Sequence, residues 1–260
     1  MNKIVLITGA TSGFGEACAR KFAAGGYDII ITGRRKERLD KLAASLTSAA
    51  GAAPTPISPI KVLPLAFDVR DRAAVFAAID SLPAEWKKID ILINNAGLAL
   101  GRDFFEEADL DDWDTMIDTN VKGLLYVSRA VVPLMTARKK GHVINLGSVA
   151  GKEVYEKGNA YCGSKFAVAA ISKAMRIDLL RHRIKVTVIH PGAAETEFSM
   201  VRFKGDEEKA KQIYQGFQPL TPGDVADTIY YCAGLPEHVC LNEINITCLA
   251  QADGIYFYKG

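Results

Sequence analysis

Short apolar runs recur along the chain, each followed by a segment whose apolar residues return every three or four positions. The runs 4–7, 29–31, 62–67, 89–93, 141–146 and 186–189 read as buried strands. The segments 16–24, 36–46, 71–82 and 161–180 read as helices, and 113–135 contains a long helix broken or ended near Pro133. Within 36–46, Leu39, Leu42 and Leu46 share one helical face. Strands apolar on both sides, alternating with helices, predict an α/β fold. It is Rossmann-like and doubly wound, with a mostly parallel sheet covered by helices on both faces. The stretch 51–59 carries three prolines among small residues and reads as a surface loop. Nothing repeats beyond the strand–helix alternation, so residues 1–260 read as one domain.

The first strand–helix junction carries the densest signal. Residues 6–15 read L-I-T-G-A-T-S-G-F-G, placing Gly9, Gly13 and Gly15 in a T-G-x-x-x-G-x-G pattern with Thr11, Ser12 and Phe14 between them. Glycines between a strand and a helix let the turn close tightly and let phosphate oxygens approach the backbone, which points to a dinucleotide. The second strand says which one. It ends Thr32-Gly33-Arg34-Arg35, with no acid at its tip. An acid there would bind ribose hydroxyls and repel a phosphate, whereas arginine binds phosphate bidentately; NADP is therefore the expected cofactor.

Composition narrows the classes further. Formal charge is only +2, so nothing global points to nucleic acid or a membrane surface, and the local group Arg34, Arg35, Lys36 and Arg38 is the exception. The five cysteines lack C-x-x-C spacing, which favours a reducing compartment, with Cys18 and Cys162 read as small helix residues. With no leader pattern and no membrane-length apolar window, a soluble cytoplasmic protein is expected.

Tyr161 and Lys165 stand at i and i+4 of one helix and so share a face. A phenol is a poor base at neutral pH, and a neighbouring ammonium favours the phenolate. Tyr161 can then exchange a proton with a substrate oxygen, to which Ser148, at the end of the adjacent strand, can also donate.

These motifs, with N-N-A-G at 94–97 and Asn120, resemble the short-chain dehydrogenase/reductase family from residue 4 to about 250. The resemblance implies a catalytic set of Asn120, Ser148, Tyr161 and Lys165, with Asn120 keeping a water beside the lysine. It implies that Asp68, followed by Val69, holds the adenine amino group, and that Asn94, Ala96 and Gly97 form the turn at the adenine ribose. Lys165 would hold the nicotinamide ribose, Pro191 and Gly192 would flank the nicotinamide, and Thr196 would lie near its carboxamide.

Within the family, the stretches 82–86, 97–101, 111–120 and 201–206 are most similar to the NADP-dependent 3-hydroxy acid dehydrogenases. That likeness implies a short 3-hydroxy acid (serine, allo-threonine or 3-hydroxypropionate type) or the matching 3-oxo acid or semialdehyde as substrate. An acid substrate calls for a cation, and Arg202, in a lid segment at 193–215, is the first choice, ahead of Lys204, Lys152 and Lys157. Tyr155 would wall the pocket beside Ser148 and Tyr161. The chain departs from the subgroup at 156–159, 193–195 and 247–248. Residues 238–260 are apolar enough to pack on a second copy, and family resemblance implies a homotetramer or a homodimer. Two other functions stay open: a reductase of larger 3-oxoacyl compounds, and a nucleotide-binding regulator without turnover. No metal site is expected.

Overall fold

The computed structural model describes residues 2–51 and 59–259; the proline-rich stretch 51–59 lies, but for its two ends, outside them. Among the described residues, seven parallel strands form one sheet. They are β1 (Ile4–Ile7), β2 (Asp28–Gly33), β3 (Val62–Ala66), β4 (Ile89–Asn94), β5 (Gly141–Leu146), β6 (Ile184–Pro191) and β7 (Glu243–Ile246). Their order is β3-β2-β1-β4-β5-β6-β7. The connections run outward in opposite directions from β1 and β4, which opens a crevice at their carboxyl ends.

Alternation inside each strand divides the core in two. Val5, Ile7, Ile29 and Ile31 point into one layer with Phe22, Leu39 and Ile229. Ile4, Leu6 and Ile30 point into the other with Val75, Val127 and Val186. Leu6 is fully buried, so Leu6→Ala would cost about 2–5 kcal/mol.

The helices are α1 (Gly13–Ala24), α2 (Lys36–Gly51), α3 (Arg72–Asp80), α4 (Leu110–Ile117), α5 (Leu124–Arg138), α6 (Asn159–Leu179), α7 (Glu197–Arg202), α8 (Glu207–Gln212) and α9 (Pro222–Gly234). The expected break near Pro133 is a correction: α5 runs through Pro133 to Arg138. Pro133 lies on the exposed face, where water can serve the carbonyl that loses its partner. The interruption comes earlier, as a π-helical segment Asp118–Gly123 between α4 and α5, and it contains Asn120.

Strand β7 was not foreseen. Its E-I-N-I alternates polar and apolar, and it sits half-buried at the sheet edge, unlike the continuous apolar runs of the inner strands.

Candidate active site

The turn after β1 is shaped by contact as well as conformation. Gly9 has φ +65°, and a Cβ there would fall 2.9 Å from the Ala96 Cα. A Cβ on Gly15 would meet the Gly9 carbonyl oxygen at 2.3 Å, so Gly15 closes the turn against the helix. The buried Thr8 hydroxyl accepts from the Asn95 and Ala96 N–H groups at 3.0 and 2.9 Å, tying the end of β1 to the end of β4. Ser12 caps α1 without a side-chain hydrogen bond. The first-turn N–H groups are thus left for an anion where the chain lines a cavity.

That cavity measures about 940 Å³ and follows the carboxyl ends of the strands. Its wall contains Gly9, Thr11, Ser12, Gly13, Phe14, Arg34, Arg35, Asp68, Val69, Ala96, Gly97, Pro191, Gly192 and Thr196 from the expected cofactor set. At the other end it contains Ser148, Tyr155, Tyr161, Lys165 and Arg202. Gly15, Asn94 and Asn120 are not in the wall. Asn94 lies beneath it, its side-chain amide donating to Ser128 Oγ and Asn145 Oδ1, each at 2.9 Å.

The basic pair at the end of β2 meets two acids. Arg35 donates to Thr11 Oγ1 at 2.9 Å and lies 3.7 Å from the Glu197 carboxylate of α7, which also pairs with Arg38 at 3.1 Å. Arg34 lies 4.0 Å from Asp68. Burial pushes the Asp68 carboxyl up, but the hydrogen bonds and charge of Arg70, with Arg34 behind them, prevail and hold it below its ordinary value.

Ser148 leaves the end of β5 and caps the 3₁₀ turn Val149–Gly151, its Oγ accepting from the Ala150 N–H at 3.1 Å. Helix α6 brings up Tyr161 and Lys165, both buried. The Lys165 ammonium donates to the Leu146 carbonyl at 3.0 Å and lies 5.9 Å from the Tyr161 ring centroid. Burial brings the Lys165 pKa down to about 8. The Tyr161 phenol, for its part, is held in its protonated form. Burial, with Tyr155 adding to it, pushes the Tyr161 phenol well above its ordinary value, and hydrogen bonding to Ser148 and the charge of Arg202 only partly offset this. Burial penalises the charged form of each group separately, the ammonium of Lys165 and the phenolate of Tyr161.

Asn120 stands close to Lys165, both bordering Gly97, and its side-chain amide is engaged by its neighbours. Its Oδ1 accepts from the Leu98 N–H and its Nδ2 donates to the Leu98 carbonyl, both at 2.8 Å, with a further bond to Ser164 Oγ at 3.0 Å. The side chain is thus spent on fixing the strand-end loop that leads to Gly97. A Cβ at Gly97 would stand 3.2 Å from Asn120 Oδ1 and 3.5 Å from Lys165 Nζ, so only glycine leaves that corner open.

At the outer end, Arg202 donates from Nη2 to the Tyr155 hydroxyl at 3.0 Å, while its buried Nε has no hydrogen-bond partner among the described residues. The other cations considered for this end are engaged elsewhere. Lys204 pairs with Asp112 at 2.9 Å, Lys157 lies over the Phe104 ring at 4.0 Å, and Lys152 is bound to Glu243.

Three wall residues carry no sequence signal of their own. Phe198 packs on Tyr161 at 5.7 Å between ring centroids, and Arg102 faces the Tyr155 ring at 5.8 Å. Gln251 accepts from the Ala193 N–H at 2.7 Å and holds the turn after Pro191. A glutamine 58 residues further along the chain reaches that turn only through the fold.

A family model described as short chain dehydrogenase matches residues 3–207. The chain is 46% identical over 250 residues to the NADP-dependent 3-hydroxy acid dehydrogenase YdfG of Escherichia coli strain K12, covering 96% of each. It is 44% identical over 253 residues to sulfoacetaldehyde reductase 2 of Chromohalobacter salexigens, covering 97% of this chain and 96% of the relative. A solved structure described as the closed form of serine dehydrogenase complexed with NADP+ superposes with a TM-score of 0.88, at 46% identity over 96% of each chain.

Proposed function

The chain belongs to the short-chain dehydrogenase family, and from that premise we propose that it is an NADP-dependent oxidoreductase of short 3-hydroxy acids and the corresponding 3-oxo acids or semialdehydes. The observation that carries the substrate class is Arg202, whose buried Nε lacks a partner at the Ser148–Tyr161 end of the cavity. A carboxylate is the ligand a guanidinium in that state would take.

The glycine turn, the open amino end of α1 and the arginines after β2 fit a dinucleotide with a 2′-phosphate. When bound, the cofactor supplies or accepts the hydride at its nicotinamide ring. Arg34 and Arg35 would hold the 2′-phosphate, and Pro191, Gly192 and Thr196 would border the nicotinamide end. Ser148 would hydrogen-bond the substrate oxygen and hold its carbon in place. In reduction, Tyr161 gives its proton to that oxygen as negative charge develops there. A phenol kept protonated by burial is in the right state for that step. Lys165 would stabilise the phenolate left behind, and Arg202 would fix the acid end of the substrate. Phe198 and Tyr155 would exclude water around the reacting oxygen.

The proposal extends to a single domain over 1–260 with a lid at 193–215, and to a cytoplasmic homotetramer, or a homodimer. The exposed Leu249, Ile255, Tyr256 and Tyr258 near the carboxyl end support association of copies. The test is a set of initial rates with NADP⁺ across serine isomers, threonine isomers, 3-hydroxypropionate and a neutral alcohol of matched length. Turnover of the acids above the neutral alcohol is expected. A preference for the neutral compound would overturn the substrate class and leave only the oxidoreductase.

A further inference from the structure

Behind the Ser148 turn lies a buried histidine that the reaction described above does not use. His190, near the end of β6, is fully buried and immediately precedes Pro191 and Gly192. Its Nδ1 is 2.9 Å from the Ser148 carbonyl oxygen and 3.3 Å from the Ser148 backbone nitrogen. On the other side its Nε2 is 3.1 Å from the Glu243 carboxylate of β7, without an aligned hydrogen bond, and Glu243 is bound to Lys152. The packing leaves no slack, since a Cβ on Gly147 would fall 2.5 Å from His190 Nδ1. The histidine therefore joins two turns of the cavity wall: the one that presents Ser148 and the one that carries Pro191 and Gly192.

Chemistry selects the form of the ring. A neutral imidazole has one N–H, and the shorter Nδ1 contact is to a carbonyl oxygen, which can only accept. The proton then sits on Nδ1; this gives up the longer acceptor contact from the Ser148 N–H at 3.3 Å and turns the Nε2 lone pair toward Glu243, whose charge Lys152 balances. Burial works against a second proton and lowers the His190 pKa, although the Ser148 carbonyl and Glu243 pull the other way. Lys152, with Lys173 more distant, supplies the positive charge that Glu243 needs, so the carboxylate does not require a histidinium.

We propose that His190 is a positioning residue for the hydride-transfer site: its Nδ1–H holds the main-chain carbonyl of Ser148, and the Glu243–Lys152 pair backs the ring. This rests on the oxidoreductase reading, with Ser148 as the group that holds the substrate oxygen. The ring itself touches neither substrate nor cofactor.

The test has two arms on the full-length enzyme. ¹⁵N-histidine NMR of the wild-type protein reads the tautomer without any turnover, and His190 is expected with its proton on Nδ1. The kinetic arm compares His190→Phe with His190→Asn, whose side-chain amide can donate from nearly the same place. His190→Phe should lower kcat about tenfold with the substrate KM little changed, and His190→Asn should restore most of the loss. A proton on Nε2 in the wild type would overturn the proposal. So would a folded Phe variant with wild-type kcat, or an Asn variant as slow as the Phe variant. A wild-type enzyme that turns over no hydroxy acid would sink the substrate reading instead. The rates would then be taken with a carbonyl compound it does reduce, and the NMR arm would stand unchanged.

Discussion

The Arg202 guanidinium donates to the Tyr155 hydroxyl at 3.0 Å, and its carbon lies 5.6 Å from the centroid of the same ring. Tyr155 therefore holds the arginine by edge and face together, without neutralising it. The same guanidinium carbon is 5.4 Å from the Tyr161 ring centroid, within reach of a small molecule whose oxygen lies on Tyr161. Arg202→Ala should lower kcat/KM for a 3-hydroxy acid by about 10- to 100-fold, or about 1.4–2.8 kcal/mol. The loss on a matched neutral alcohol should be much smaller. Equal losses on both would mean that Arg202 shapes the lid through Tyr155 and does not read charge.

Cofactor choice rests on the arginines after β2. NADPH is expected to bind more tightly than NADH, and replacing both Arg34 and Arg35 by Ala should weaken NADPH at least about tenfold while sparing NADH. Fluorescence titration of both reduced cofactors measures this directly. A loss shared equally by the two would place the arginines off the 2′-phosphate.

Glu197 adds a second, smaller expectation at the same place. Its carboxylate competes with a phosphate for Arg35 and Arg38. All three side chains are about half exposed, so the pairs are weak. Glu197→Gln should tighten NADPH by about two- to fivefold and leave NADH unchanged. No change in the NADPH affinity would show that the lid acid moves away before the cofactor enters.

The parts legible in the sequence were those whose information is local. The glycines of the first turn, the arginines after β2 and the Tyr161–Lys165 spacing each depend on a few adjacent positions, and all but Gly15 reach the cavity wall. What the sequence hid depends on contacts between distant segments. Asn94 and Asn120 sit in family motifs, and the bonds of their side-chain NH₂ groups to Ser128 and Asn145, and to the Leu98 carbonyl and Ser164, appear only in the fold. Gln251, and the His190–Glu243 contact across the β6–β7 pair, become visible only once the sheet edge is formed. Pro133 misled because a proline breaks a helix only where its missing bond cannot be replaced, and exposure is not written in the local sequence.

Tyr161→Phe isolates the hydroxyl. The ring would keep its packing against Phe198 and fill the same space. Turnover should fall almost to background, while NADPH affinity stays close to wild type. Near wild-type turnover would remove Tyr161 as the proton donor and shift attention to Ser148.

Lys165 should carry a stability cost that can be read by pH. Its pKa falls from 10.5 to about 8 because burial penalises the ammonium. Between those values the unfolded chain binds more protons than the folded one, so this residue's contribution to stability improves as pH rises. Below about 8 the folded protein bears the full cost of a buried charge, offset in part by the bond to the Leu146 carbonyl. Lys165→Met, close in length and uncharged, should therefore raise the melting temperature of the cofactor-free protein near neutral pH. At this size each kcal/mol of relief is worth about 2–4 °C. The advantage should shrink as pH climbs from about 8 toward 10.5, while turnover is lost at every pH. Calorimetric scans of both proteins at the two ends of that range decide it. A variant less stable than wild type near neutral pH would mean that the Leu146 bond outweighs burial, and Lys165 would then be a structural anchor as well as the partner of Tyr161.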